Sequence, residues 1–190
     1  MPLTTLDPNT ALIVIDLQKG IVTGNFVHPI GEVIDQTRAL IEVFRAKNLP
    51  VVLVNVAGRP TGRTEQGPRS NTSFAEGWTD LLPQLDQHLS DIVVTKRSWG
   101  AFATTDIESQ LKARGVTQVV VTGVATSVGV EATARQAYEQ GFHVTLALDA
   151  MTDMREEAHE YSIGNVFPRL GETGSTQKII SLLESRSSAS

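Results

Sequence analysis

Val119-Val120-Val121-Thr122-Gly123-Val124-Ala125-Thr126-Ser127-Val128-Gly129-Val130-Glu131-Ala132-Thr133-Ala134-Arg135 is the stretch whose reading decides the fold. A β-branched apolar run ends at Gly123, a short polar turn follows, and a helical pattern begins near Gly129. Strand, tight turn and helix in that order make the repeating unit of a parallel sheet. Further apolar runs lie at 11–15, 51–56, 92–94 and 144–148, each continuous rather than alternating. Such runs fit strands covered on both faces.

Helical patterns fill the intervals at 33–47, 104–114, 128–140 and 155–166. In the second, Asp106 and Glu108 come early and Lys112 and Arg114 late, the order that the helix dipole favours. Right-handed crossovers between such strands predict a three-layer α/β/α sandwich around a mostly parallel, six-stranded sheet. A last short strand is expected after Pro168 and a closing helix at 177–183. One domain over 1–184 and a flexible tail at 185–190 complete the expected organisation.

Composition narrows the function classes. Hydrophobic residues make up 41% and charged residues 19% of 190 positions, which is globular rather than disordered. A net charge of −5 with no basic cluster speaks against nucleic acid and anionic membrane as partners. With 0 cysteines, disulfides, redox pairs and thiolate metal sites are excluded. The opening residues carry neither a basic leader nor an apolar signal core, and no run is long enough to span a membrane. A cytoplasmic protein is expected.

Three strand ends carry chemistry-bearing residues. Asp16 closes the first apolar run, Lys96 follows the third, and the Gly123–Gly129 turn follows the fourth. In a parallel sheet these ends open on one rim, where ligands bind in open α/β folds. A carboxylate and an ammonium together in an apolar cleft perturb each other's titration, a mark of functional sites. Taken singly, each has a plainer reading: an Asp that forms a turn and a Lys that faces solvent.

With Asp16/Gln18, Lys96/Ala101/Phe102 and Gly123/Val124/Thr126/Val130/Thr133/Ala134/Ala137 in place, the chain resembles the isochorismatase-like hydrolase superfamily along nearly its whole length. The resemblance implies a Rossmann-like isochorismatase fold and a small-molecule substrate, and no cofactor is expected. It also implies a homodimer or higher homo-oligomer. Most members hold a catalytic cysteine where this chain has Gly129. In them the Asp takes the thiol proton, the Lys supports it, and a cis peptide at the position of Val124-Ala125 aims backbone N–H groups at an oxyanion.

Gly129 removes that nucleophile and leaves the acid–base pair, as in isochorismatases that hydrolyse a vinyl ether without a covalent intermediate. On this reading Asp16 is the general acid, Lys96 orients it or binds a substrate carboxylate, and Gly129 makes room for the substrate ring. The expected activity is hydrolysis of a small anionic metabolite. Two alternatives stand beside it: a non-catalytic small-molecule-binding protein, and an amide hydrolase that uses activated water. The turn departs from the G-V-Y-A-H-x-G form of those isochorismatases and is closer to an amidase branch without its cysteine.

Gln18, Trp99, Phe102, Val124, Ala125 and Ser127 are candidates for substrate contact, with Trp78 beside Trp99 and Phe102 as a candidate pocket wall. Ser127 also reads as a helix N-cap, Phe102 as core, and Thr133 as packing beneath the pocket. The polar stretch 57–76 holds Arg59, Arg63 and Arg69, any of which could clamp a carboxylate or be a solvated loop charge. Glu131 and Arg135 have the spacing of a helix-surface pair. His28, His88, His143 and His159 are scattered along the chain. Asn55-Val56-Ala57 stands where a nicotinamidase-type Asp-x-His metal site would be, so no metal is expected.

Overall fold

The computed structural model describes residues 3–66 and 74–185. Six parallel strands lie in the order β3-β2-β1-β4-β5-β6. They are β1 (Thr10–Ile15), β2 (Val51–Val56), β3 (Ile92–Lys96), β4 (Gln118–Val124), β5 (His143–Thr152) and β6 (Glu172–Gly174).

Alternation along the strands builds two cores. Ala11, Ile13 and Ile15 join Val119 and Val121 on one face, packed against α3 (Ile107–Ala113) and α4 (Glu131–Glu139). Leu12 and Val14 join Leu53 and Val120 on the other, under α2 (Ile30–Ala46) and α7 (Thr176–Ser185). Because both faces are covered, β1 is buried at every position, which is why its sequence shows no polar alternation. The three-layer sandwich is as the sequence led us to expect.

Element ends differ where local geometry overrides pattern. The helix expected from 128 begins at Glu131, because Thr126–Val130 winds as a wide π-helical turn. There the N–H groups of Val128 and Val130 both reach the Ala125 carbonyl, at 3.0 and 3.2 Å. Similarly, the pattern at 155–166 splits into α5 (Glu156–Tyr161) and a second wide turn (Ser162–Val166), followed by α6 (Phe167–Leu170). Strand β5 outruns its expected end, since its register against β4 jumps from Leu146 to Met151. Gly123 marks that jump at φ 108°, where a Cβ would sit 2.1 Å from the Ile15 carbonyl oxygen. The four-residue helix α1 (Lys19–Val22) gave no signal, being too short for periodicity.

The stretch 57–76 has neither helix nor strand among its described residues. Gly67, Pro68 and Arg69 lie outside them, as does the expected tail after Ser185, which itself closes α7.

Candidate active site

Asp16 follows the last residue of β1 and turns the chain with φ 52°, the left-handed region that Asp tolerates better than most residues. Its N–H still bonds the Val54 carbonyl at 3.0 Å, and its own carbonyl accepts from Gln18 N at 2.9 Å. The turn keeps the backbone in the sheet and swings the side chain along the carboxyl rim.

Lys96 ends β3, and β2 lies between it and β1. Two strand spacings come to about 10 Å, so only a long side chain crosses from one end to the other. Its Nζ meets Asp16 Oδ2 at 2.8 Å, the Trp99 carbonyl at 2.8 Å and the Ser98 carbonyl at 3.2 Å. An ammonium has three protons to donate, and these partners use them all. Lys96 is 2% exposed. Its ammonium is thus committed to Asp16 and to two backbone carbonyls.

Gln18 also has another task than substrate contact. Its amide accepts from Val56 N at 2.7 Å and donates to the carbonyls of Val56 at 3.1 Å and Trp78 at 3.2 Å. Fully buried, it pins the end of β2 beneath the crossing lysine.

Asp16 Oδ1 is buried with no hydrogen-bond partner among the described residues. Burial disfavours the charged carboxylate and outweighs the attraction and hydrogen bond of Lys96, so the pKa is pushed up to about 6. The opposition between a nearby cation and a proton-bearing acid, evident from the sequence, is thus resolved by desolvation.

The turn after β4 brings Gly129 against this pair. Val124-Ala125 is cis, as the resemblance implied. Gly129 does not leave an open space, however. A Cβ there would lie 2.9 Å from Ile15 Cγ2 and 3.2 Å from both Asp16 Oδ2 and the Val124 carbonyl oxygen. The missing side chain lets the end of β1 and its carboxyl close onto the turn. The expectation of room for a ring directly above Gly129 is therefore corrected.

Side chains that sequence reasoning passed over hold the turn. Asp153, beyond β5, accepts from Ser127 N at 2.7 Å. It also accepts from Met154 N at 2.7 Å, ahead of α5. An Asp just before a helix is a legible capping signal; that it would also reach a second element was not. Ser127 itself makes no side-chain cap, so that expectation yields to Asp153. Thr126 Oγ1 lies 2.8 Å from His159 Nδ1, and the rings of His28 and His159 meet at 4.8 Å. These two histidines are not scattered in space. Burial first, then the neighbouring His28, holds His159 below its ordinary pKa.

Other candidates separate. Phe102 is core, beside Phe142 at 5.9 Å, and Val124 is fully buried. Trp99 is 61% exposed and contributes its carbonyl, rather than its ring, to Lys96. Ala125 and Ser127 are half-buried on the turn, while Arg59 and Arg63 are exposed. Trp78 stacks on Phe74 at 4.1 Å and covers Gly20. A cleft of about 790 Å³ adjoins the turn through Ser127, with Arg135, Arg155, Tyr161 and Arg169 on its walls. Neither Asp16 nor Lys96 lines it. The perturbed carboxyl of Asp16 therefore lies apart from that cleft. No helix among the described residues is long and apolar enough to cross a membrane.

Comparison with known proteins places the chain in a family. The isochorismatase domain description matches residues 10–178. The isochorismatase family protein YwoC of Bacillus subtilis is 36% identical over 178 residues, covering 90% of this chain and 92% of its own. Nicotinamidase 3 of Arabidopsis thaliana is 30% identical over 169 residues, covering 84% and 83%. An isochorismatase family protein from Burkholderia thailandensis superposes with a TM-score of 0.90 at 38% identity, covering 95% of this chain and 98% of its own.

Proposed function

The chain belongs to the isochorismatase family of hydrolases, and from that premise we propose that Asp16 is its proton-transferring group, acting on a small anionic metabolite. The observation that carries this reading is the division of labour within one carboxyl: Oδ2 is held by Lys96, and Oδ1 is buried without a partner among the described residues. A carboxyl whose pKa has risen to about 6 keeps a useful acid fraction near neutrality.

Vinyl-ether hydrolysis of the isochorismate type matches a site with an acid and no nucleophile. The Asp16 proton passes to the terminal methylene carbon of an enolpyruvyl ether, whose π electrons form the new C–H bond. The resulting oxocarbenium carbon takes up water, which returns a proton to the carboxylate. The hemiketal then breaks its C–O bond, giving pyruvate and the alcohol, with one water consumed. Lys96 stays on Oδ2 throughout and stabilises the carboxylate left after proton donation.

Incubation with isochorismate, with pyruvate read by a coupled reductase, tests the proposal. Wild-type protein should release pyruvate, and Asp16→Asn should lower the rate by about 10²-fold or more. Absence of pyruvate from isochorismate and from simpler enolpyruvyl ethers would sink the vinyl-ether reading. Similarity to a nicotinamidase favours a second one, in which ionised Asp16 draws a proton from water attacking an amide. Ammonia release from a carboxamide panel would select it.

A further inference from the structure

Thr133 on α4 is buried, and its hydroxyl is shared between the two halves of the site. Oγ1 donates to the Gly129 carbonyl at 2.7 Å and accepts from Ala101 N at 3.1 Å. One turn further along α4, Gln136 Oε1 accepts from Phe102 N at 2.9 Å. Its side chain occupies the space beside Gly100, where a Cβ would fall 2.3 Å from Oε1. The segment 98–102 thus hangs from α4 by two tethers. Its first two residues supply the Ser98 and Trp99 carbonyls that hold the Lys96 ammonium.

We propose that Thr133, seconded by Gln136, is a positioning residue that sets the distance between Lys96 and Asp16 while fixing the Gly129 turn against them. The inference rests on the reading of Asp16 and Lys96 as the working pair. Neither tether touches Asp16. Their effect travels through backbone: hydroxyl and amide to the 101 and 102 N–H groups, then to the carbonyls at 98 and 99, and finally to the ammonium.

The sign of the effect follows. When a tether is cut, segment 98–102 drifts, its carbonyls release the ammonium, and Lys96 moves back from Oδ2. Less attraction for the ionised carboxyl leaves desolvation less opposed, and Asp16 holds its proton to higher pH. A residue with a merely structural role would lower stability without moving that titration.

The test is a carbon-detected NMR titration of the Asp16 carboxyl in the full chain, with no substrate present. Thr133→Val should raise the Asp16 pKa by roughly half a unit or more, and Gln136→Leu should move it in the same direction. Thr133→Ser, which keeps the hydroxyl, should titrate as wild type. Thr145→Val is the matched control. It removes a buried hydroxyl that accepts from Gln118 Nε2 at 3.0 Å, near the amino ends of β4 and β5. It should leave Asp16 unmoved. The proposal is overturned if Asp16 titrates as in wild type in folded Thr133→Val and Gln136→Leu, or if Thr145→Val shifts it equally. Should Thr133→Val not fold, the half-buried Gln136→Leu decides alone. Because no turnover is measured, this result is independent of whether pyruvate is ever released.

Discussion

Lys96 reaches over the end of an intervening strand to donate to Asp16 Oδ2 at 2.8 Å, and the other oxygen of that carboxyl stays buried with no partner among the described residues. The pair is therefore asymmetric: one carboxyl oxygen is fixed and the other is not. Burying an ion pair is worthwhile only when its geometry and remaining hydrogen bonds are satisfied. The Ser98 and Trp99 carbonyls satisfy the ammonium side, and a proton on Oδ1 would remove the charge on the carboxyl side.

From this asymmetry comes the first prediction. Lys96→Met should push the Asp16 pKa above the value of about 6 held in the wild type, because the attraction and the hydrogen bond that oppose burial are gone. Below the new pKa the buried acid is neutral and the variant loses little more than its carbonyl ties. At pH 8 an unpaired charge must be buried or a proton held against its tendency to leave, at a cost of about 3–5 kcal/mol. Urea midpoints at pH 5 and pH 8 check it: the deficit relative to wild type should be clearly larger at pH 8.

Gln18→Leu separates bracing from substrate contact. The substitution leaves the Val56 N–H and carbonyl without their partner in a buried place, while the Trp78 carbonyl keeps the Gly20 N–H at 2.9 Å. Each orphaned group costs about 1–3 kcal/mol. Stability and kcat should fall together as the end of β2 loosens under Lys96, with KM nearly constant. A rise in KM with unchanged kcat and stability would instead make Gln18 a substrate ligand.

How far the sequence carries this reading depends on what each residue touches. Strands were legible because β1 and β4 are buried on both faces, and continuous apolar runs record that directly. Asp16, Lys96 and the 123–129 turn were legible as three strand ends on one rim. That Lys96 crosses β2, and that Gln18 pins β2 while it does so, depends on strand order, which linear spacing does not encode. Gly129 shows a further limit. In a string of letters a glycine looks like vacant space, whereas in the fold Ile15 and Asp16 crowd it. His28 and His159 are 131 positions apart in the chain and meet only because α5 returns over the turn.

Gly129→Ala follows from that closeness. A gain of about 1 kcal/mol is expected for replacing glycine near a helix start. Against it stands a Cβ placed 2.9 Å from a fully buried, β-branched Ile15, and overpacking of this kind costs about 1–3 kcal/mol. The net should be a loss of stability, visible in the melting temperature. Activity should fall further than stability, since the new methyl also presses on Asp16 Oδ2 at 3.2 Å. A variant as stable and as active as wild type would mean that the turn gives way freely.

Two buried groups bend the pH–stability curve in opposite senses. Asp16 has a folded pKa of about 6 against 3.8 when free, so between these values the native state holds the extra proton. Its contribution therefore declines as pH rises from about 3.8 to about 6. His159 is held below its ordinary 6.5 by burial and by His28, against the opposing pull of Asp153 and Glu160. As pH falls below 6.5 the unfolded chain takes a proton that native His159 refuses, and stability is lost in that direction. Asp16→Asn should thus steepen the loss of stability on acidification between pH 6 and pH 4, because the compensating proton uptake is gone. His159→Gln should flatten the same limb. Denaturant midpoints at half-unit pH intervals for both variants check the signs. Parallel shifts of the two curves, with no change of slope, would show that neither group changes its proton occupancy on folding.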